Sequence, residues 1–232
     1  MTNKLRSFIG LNVMLALSVS PSLSDEFNGK HQNPIRSTYE LDLHNVSKES
    51  KRIIRENNLN RDKIKLIEFI YNIGHSIKAS DGTKFGYSLV AIYGAESTFG
   101  EYIIGDKYFK NGREKPLYLK SLSGFQIKVS TAIETIQKNK ELSEYSHLIN
   151  GKRSPLIVSR LLNDVEFSSK IAGYFLKSLY ERARTKKYND PWRKAIGKYN
   201  GGWYNKVYYP RIIGTLGDIK KLKKHNILKL AS

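Results

Sequence analysis

The chain has 232 residues, of which 40% are hydrophobic and 11% aromatic, enough apolar surface to exclude a wholly disordered protein. Forty Lys and Arg against 21 Asp and Glu give a net charge of +19, and there is no cysteine. A disulfide scaffold, a cysteine-ligated zinc site, a thiol nucleophile and a lipidated cysteine are therefore excluded.

Lys4 and Arg6 precede a mostly apolar stretch from Phe8 to Val19. Pro21 and the small-x-small run Ser22-Leu23-Ser24 follow, just before Asp25 and Glu26. A charged start, a short greasy stretch and a small-residue cleavage site are the pattern of a secretory leader. The stretch is shorter than the roughly 20 residues a spanning helix needs. A signal peptide is expected over residues 1–24, with export to the periplasm; a membrane anchor is the alternative if cleavage fails. Residues 25–59 read as a polar lead-in, with helical patterning from about Ser47.

From residue 60 onward the pattern is helical. Ile64, Ile67, Tyr71, Gly74 and Ile77 recur at spacings of three and four, and Asp81-Gly82 closes that helix as a turn. Gly86 to Glu96 is short and mostly apolar, so it should be a buried central helix. Residues 101–122 look irregular, with a turn at Asn111-Gly112 and room for a small hairpin. Thr131-x-x-Glu134 reads as a capping box opening a helix to about Lys138. Ser154-Pro155 and Asp190-Pro191 each place an N-cap before a proline at the first helical position. A long helix is expected from Asp164 to about Arg184. The helix from Pro191 should stop at Gly201-Gly202. The expected fold is mainly α, with six or seven helices and no strand series.

Residues 181–232 hold fourteen Lys or Arg against three acids, and 214–232 read as a basic C-terminal tail. Such charge attracts polyanions. Export argues against nucleic acid and leaves anionic envelope polymers and an anionic membrane surface.

Most familiar site motifs are missing. There is no Gly-x-Ser-x-Gly, no Ser-x-x-Lys and no phosphate-cradling glycine loop. The five histidines stand at least 13 residues apart, so none pair at helical metal spacing. No cofactor and no metal is implied.

What remains is Glu96, at the end of the apolar stretch Ala91-Ile92-Tyr93-Gly94-Ala95 and ahead of Phe99. Partial desolvation there would raise its pKa and let it hold a proton near neutral pH, as a general acid must. Three motifs occur in order: Glu96-Ser97-x-Phe99-Gly100, Ser123-Gly124-Phe125-Gln126-Ile127-x-x-x-Thr131-Ala132, and Ala195-x-x-x-Tyr199-Asn200-Gly201-Gly202. Together they resemble the soluble-type (SLT) lytic transglycosylases, relatives of goose-type lysozyme, over about residues 60–213.

The resemblance implies a lysozyme-like helical domain that cuts the MurNAc–GlcNAc bond of peptidoglycan. Glu96 matches the family's catalytic acid and base. Ser97 matches a serine that helps orient the sugar or the carboxyl. Gln126 matches a glutamine facing the cleft, and Tyr199 and Asn200 match a pair lining the cleft near the acid. Two departures stand out: Ser123-Gly124-Phe125 replaces the commoner Gly-Leu-Met, and Val129 stands where many relatives have proline. Loops 101–122 and 139–155 are expected to hold the extra length between motifs. Trp203, Tyr204, Tyr208 and Tyr209 are candidates for stacking on sugar faces or for packing the last helix.

The implied chemistry uses one carboxyl twice, as acid and then as base, and leaves a 1,6-anhydro sugar. The expected partners are peptidoglycan strands and a secretion, pilus or other envelope-spanning machine. A muramidase using water, and a non-catalytic cationic wall-binding protein, are the competing readings.

Overall fold

A computed structural model describes residues 41, 46–202 and 207–230. The expected leader and most of the lead-in lie outside the described residues, as do Trp203 and Tyr204. Among the described residues there are eight α-helices, two 3₁₀ segments and one small sheet. The chain is mainly α, as expected. No described helix is long and apolar enough to cross a membrane.

The helices are α1 (Lys48–Glu56), α2 (Arg61–Ser76), α3 (Gly86–Ser97), α4 (Val129–Lys138), α5 (Pro155–Asn163), α6 (Val165–Thr185), α7 (Pro191–Tyr199) and α8 (Tyr208–Lys224). Helix α3 is the hub. It packs against α2, α6 and α8. Leu89, Val90, Ala91 and Ile92 are all fully buried, so no face of it is free for water. An apolar helix without a polar face is stable only when surrounded in this way. Its C-terminal end, which carries Glu96, is thereby held by three neighbours.

The N-caps read from sequence at Ser154 and Asp190 are formed, and Asp164 caps a third helix. Ser154 Oγ accepts from Ile157 N, Asp164 Oδ1 from Phe167 N, and Asp190 Oδ1 from Arg193 N. Each satisfies an amide that the first helical turn leaves without a partner. The expected capping box at Thr131 is not formed. Helix α4 starts at Val129 with Lys128 as its N-cap. Thr131 lies inside the first turn, where its carbonyl accepts from Thr135 Oγ1 at 2.7 Å. Glu134 pairs instead with Lys138. The strand just before α4 sets the earlier start, because the buried Val129 and Ala132 anchor the first turn directly after it.

The irregular region after α3 closes into a three-stranded antiparallel sheet of β1 (Ile104–Gly105), β2 (Ser121–Leu122) and β3 (Ile127–Lys128), in the order β1-β2-β3. Ser121 pairs with Gly105 on one side and with Lys128 on the other. The sheet forms one wall beside the end of α3. The expected small hairpin is thus present as a sheet of two-residue strands. The loop expected over 139–155 is largely a 3₁₀ segment, Lys140–Leu148.

The edges of the folded unit differ from those read in the sequence. Helix α1 falls within the expected lead-in, yet it buries Ile53 and Ile54 and packs on α8. The expected basic tail begins inside α8. That helix buries Ile212, Ile219 and Leu222, and Leu228 and Leu230 beyond it are also buried. Lys229 N donates to Glu68 Oε1 at 2.6 Å, which ties the end of the chain to α2. The many lysines hid a regular apolar stripe.

Candidate active site

The end of α3 is a sharp left-handed turn. Thr98, Phe99 and Gly100 all have positive φ, at 53°, 54° and 88°. Such angles are costly for a β-branched residue and an aromatic one. Local bonds hold them. Thr98 N donates to Gly94 O at 2.9 Å, and Gly100 N donates to Ser97 Oγ at 2.9 Å. Ser97 Oγ in turn donates to Tyr93 O at 2.8 Å. Ser97 is fully buried and its hydroxyl is engaged twice by backbone. It cannot touch a sugar. Of the two expected roles, orienting the sugar or the carboxyl, this placement suits the second: Ser97 fixes the turn that follows Glu96.

Glu96 is half-buried beside a cleft of ≈ 580 Å³. Gln126, Tyr199 and Asn200 line the same cleft. Asn200 Nδ2 donates to Glu96 Oε1 at 3.1 Å. Burial raises the Glu96 pKa above the usual carboxylate range. The neighbouring Tyr208 hydroxyl, the hydrogen bond from Asn200 and then the charge of Arg211 pull the other way without reversing it. The result is a carboxyl that keeps its proton to higher pH than an ordinary glutamate, with three groups placed to support the ionised form once the proton leaves.

Tyr199 donates from its hydroxyl to Phe125 O at 3.1 Å, and its ring packs on Phe175 with centroids 5.3 Å apart. It joins α7 to the loop before β3. Burial and the nearby Glu96 carboxylate raise its pKa. Gln126 has a φ of 53°, and its Nε2 donates to Tyr102 O at 2.8 Å and to Ser123 O at 3.1 Å. Its amide thus clasps the loop after α3 while its side chain borders the cleft.

Four of the five expected site residues therefore converge on one cleft. Among the described residues no group of three His, Asp or Glu side chains is arranged to hold a metal. Comparison with known proteins finds no matching family model, no matching curated protein and no matching solved structure.

Two roles were missed in the sequence. Of the two roles open to Tyr208, stacking on sugars or packing the last helix, it takes the second and is buried; what the sequence did not signal is its hydroxyl beside Glu96. Tyr209 also packs, edge-on to Trp192 with centroids 5.9 Å apart and with the Arg193 guanidinium 4.7 Å from its ring. Asp106 is the other. Of the acids after Glu96, Glu101 is held by Asn58 and Lys63, and Glu114 by Lys120. Asp106 lines the cleft, where it accepts from Ser121 Oγ at 3.2 Å and faces Lys128 Nζ at 3.6 Å. The pairing of β1 with β2 puts it there, a long-range event with no local signature.

Proposed function

We propose that this chain is an exported, lysozyme-like lytic transglycosylase that cleaves the MurNAc–GlcNAc bond of peptidoglycan. The observation that supports this most is the Glu96 carboxyl. It is partly desolvated, its pKa is raised by that burial, and it is hydrogen-bonded by Asn200 at 3.1 Å in a cleft that Gln126 and Tyr199 also line.

The chemistry follows from that environment. Protonated Glu96 gives its proton to the bridging oxygen as the C1–O bond breaks. Positive charge develops at C1 and is stabilised by the sugar's own acetamide. Glu96, now ionised, is supported by Asn200, Tyr208 and Arg211. It then removes the proton from the C6 hydroxyl, and O6 closes onto C1. Glu96 ends protonated, and no water is consumed. One group serves as acid and base, so its pKa must sit close to the working pH.

A second reading is hydrolysis of the same bond. Asp106 in the same cleft favours it, because a second carboxylate is what a water-using glycosidase needs. Digestion of purified sacculi with mass analysis of the products tests both. An anhydro end, one water lighter, is expected from the wild type and not from Glu96→Gln. A hydrated end that disappears in Asp106→Asn would establish hydrolysis. Undigested sacculi would leave a cationic binding protein.

A further inference from the structure

The segment between β1 and β2 carries a hairpin arm that stands out from the fold. Tyr108 pairs with Glu114 across it. Lys115 N donates to Lys107 O and Phe109 N to Arg113 O, both at 2.8 Å. Gly112 N donates to Phe109 O at 3.0 Å, and Gly112 has a φ of 79°, the left-handed residue that a short hairpin loop calls for. Asn111 Oδ1 accepts from Arg113 N at 3.2 Å. The arm is therefore held in shape by its own bonds. Residues 106–114 are all exposed, and a Cβ on Gly112 would meet nothing within 4 Å.

What the arm presents to solvent is both apolar and cationic. Tyr108 is 62% exposed and Phe109 40%, and Tyr102, Leu117 and Leu119 near them in the chain are exposed too. These are five of the eight large exposed hydrophobics among the described residues, so the apolar exposure is gathered here. Lys107, Lys110, Arg113 and Lys115 share the arm, and its one acid, Glu114, pairs with Lys120. No salt bridge among the described residues engages any of those four cations. Lys115 Nζ instead lies 5.8 Å from the centre of the Phe109 ring.

A convex arm offers no groove to a sugar strand or a peptide, but it suits a surface that deforms around it. An anionic bilayer does so. It takes aromatic rings at headgroup level and draws cations to lipid phosphates while their stems lie along the apolar boundary. We propose that residues 107–115 dock on an anionic membrane surface, with Tyr108 and Phe109 entering the headgroup boundary and Lys107, Lys110 and Arg113 meeting the phosphates. Asp106, at the foot of the arm, lines the cleft, so docking sets the cleft beside the lipid. The proposal does not depend on the reaction assigned to Glu96.

The chain has no cysteine, so Asn111→Cys carries an environment-sensitive fluorophore at a single place. In the full chain that label should shift to shorter wavelength with phosphatidylglycerol vesicles and be quenched by brominated acyl chains, with little response to phosphatidylcholine vesicles. A label at Ser159→Cys, exposed on α5, should stay silent. Titration of the Asn111 label then gives the affinity of each variant. Lys110→Ala with Arg113→Ala should weaken binding about fivefold per charge. Tyr108→Ser with Phe109→Ser should weaken it about tenfold. Lys220→Ala with Lys224→Ala, at the end of α8, should change it less than about twofold. All six side chains are exposed, so circular dichroism should not change. Every variant carries the same N-terminus, so the differences belong to the substitutions. A silent Asn111 label, equal responses at the two labels, or unchanged binding in the ring variant overturns the proposal. So does a loss at α8 as large as that at the arm, the mark of attraction to net charge alone. If the ring variant loses only cleavage of glycan strands in solution, the arm is a wall of the sugar cleft and the membrane proposal fails.

Discussion

The ring of Tyr93 lies where a side chain on Gly124 would have to be: a Cβ there would stand 2.7 Å from Cδ2 and 2.9 Å from Cζ of that ring. Tyr93 is one turn before the end of α3, and Gly124 lies in the turn that leads to Gln126 and β3. The contact brings the acid-bearing helix and the sheet wall of the cleft together. The ring cannot retreat, because Phe125 and Phe99 pack on it with centroids 5.1 and 6.5 Å away. Gly124→Ala should therefore cost about 1–3 kcal/mol, the scale of overpacking in a rigid core. Urea denaturation measures the loss. Activity should fall further than stability alone explains, since Gln126 moves with the turn.

The bond from Asn200 to Glu96 makes a prediction about pH. Asn200 supports the ionised carboxyl, so Asn200→Ala should raise the Glu96 pKa further. Cleavage begins with protonated Glu96, and the rate falls as pH rises through that pKa. The alkaline limb of the kcat/KM profile should accordingly move to higher pH in the variant. The optimum rate should drop about tenfold, as expected for losing a hydrogen bond to a charged group. Arg211→Gln should move the same limb in the same direction. Arg211 is exposed, so its shift should shrink as salt is raised, whereas the Asn200 shift should persist.

Features that depend on a few adjacent residues were legible in the sequence. Ser154-Pro155 and Asp190-Pro191 form caps because the capping oxygen and the amide it accepts from are three residues apart. The apolar run before Glu96 was enough to place α3 in the core. The start of α4 was not legible, because pairing with β2 carries the chain into Val129 and overrides the local Thr-x-x-Glu pattern. Helix α8 was obscured by Pro210, Gly214, Gly217 and its lysines. Asn200 and Glu96 are 104 residues apart, so their contact was expected through resemblance to a family and not through any local rule. Tyr208 follows the same logic: packing of α8 on α3 decides that its hydroxyl meets a carboxyl and not a sugar.

Glycine in α8 offers a test of how that helix is built. A Cβ on Gly214 would meet nothing within 4 Å, and its φ lies outside the left-handed region. Nothing in the packing calls for a glycine there. Gly214→Ala should stabilise the chain by about 0.5–1 kcal/mol, because alanine has less unfolded freedom to lose. Thermal unfolding should show a rise of about 2–4 °C per kcal/mol. A loss of stability would mean that α8 does not run through this position as described.

Glu96 should weaken the fold it serves. Its pKa is raised on folding, so the folded chain binds its proton more tightly than the unfolded chain does. Below the ordinary carboxylate range both states are protonated and nothing is lost. As pH rises through that range the unfolded chain ionises first, and folded stability declines until the raised folded pKa is passed. Glutamine has the same shape and no charge to desolvate. Glu96→Gln should therefore melt higher than the wild type near pH 7. The gain should vanish near pH 3. The same variant should lose about a thousandfold in sacculus cleavage, within the range for removing a general acid. A variant that is both more stable at neutral pH and inactive separates an acid held for chemistry from one that braces the helix, since a bracing carboxylate would lose stability on the same change.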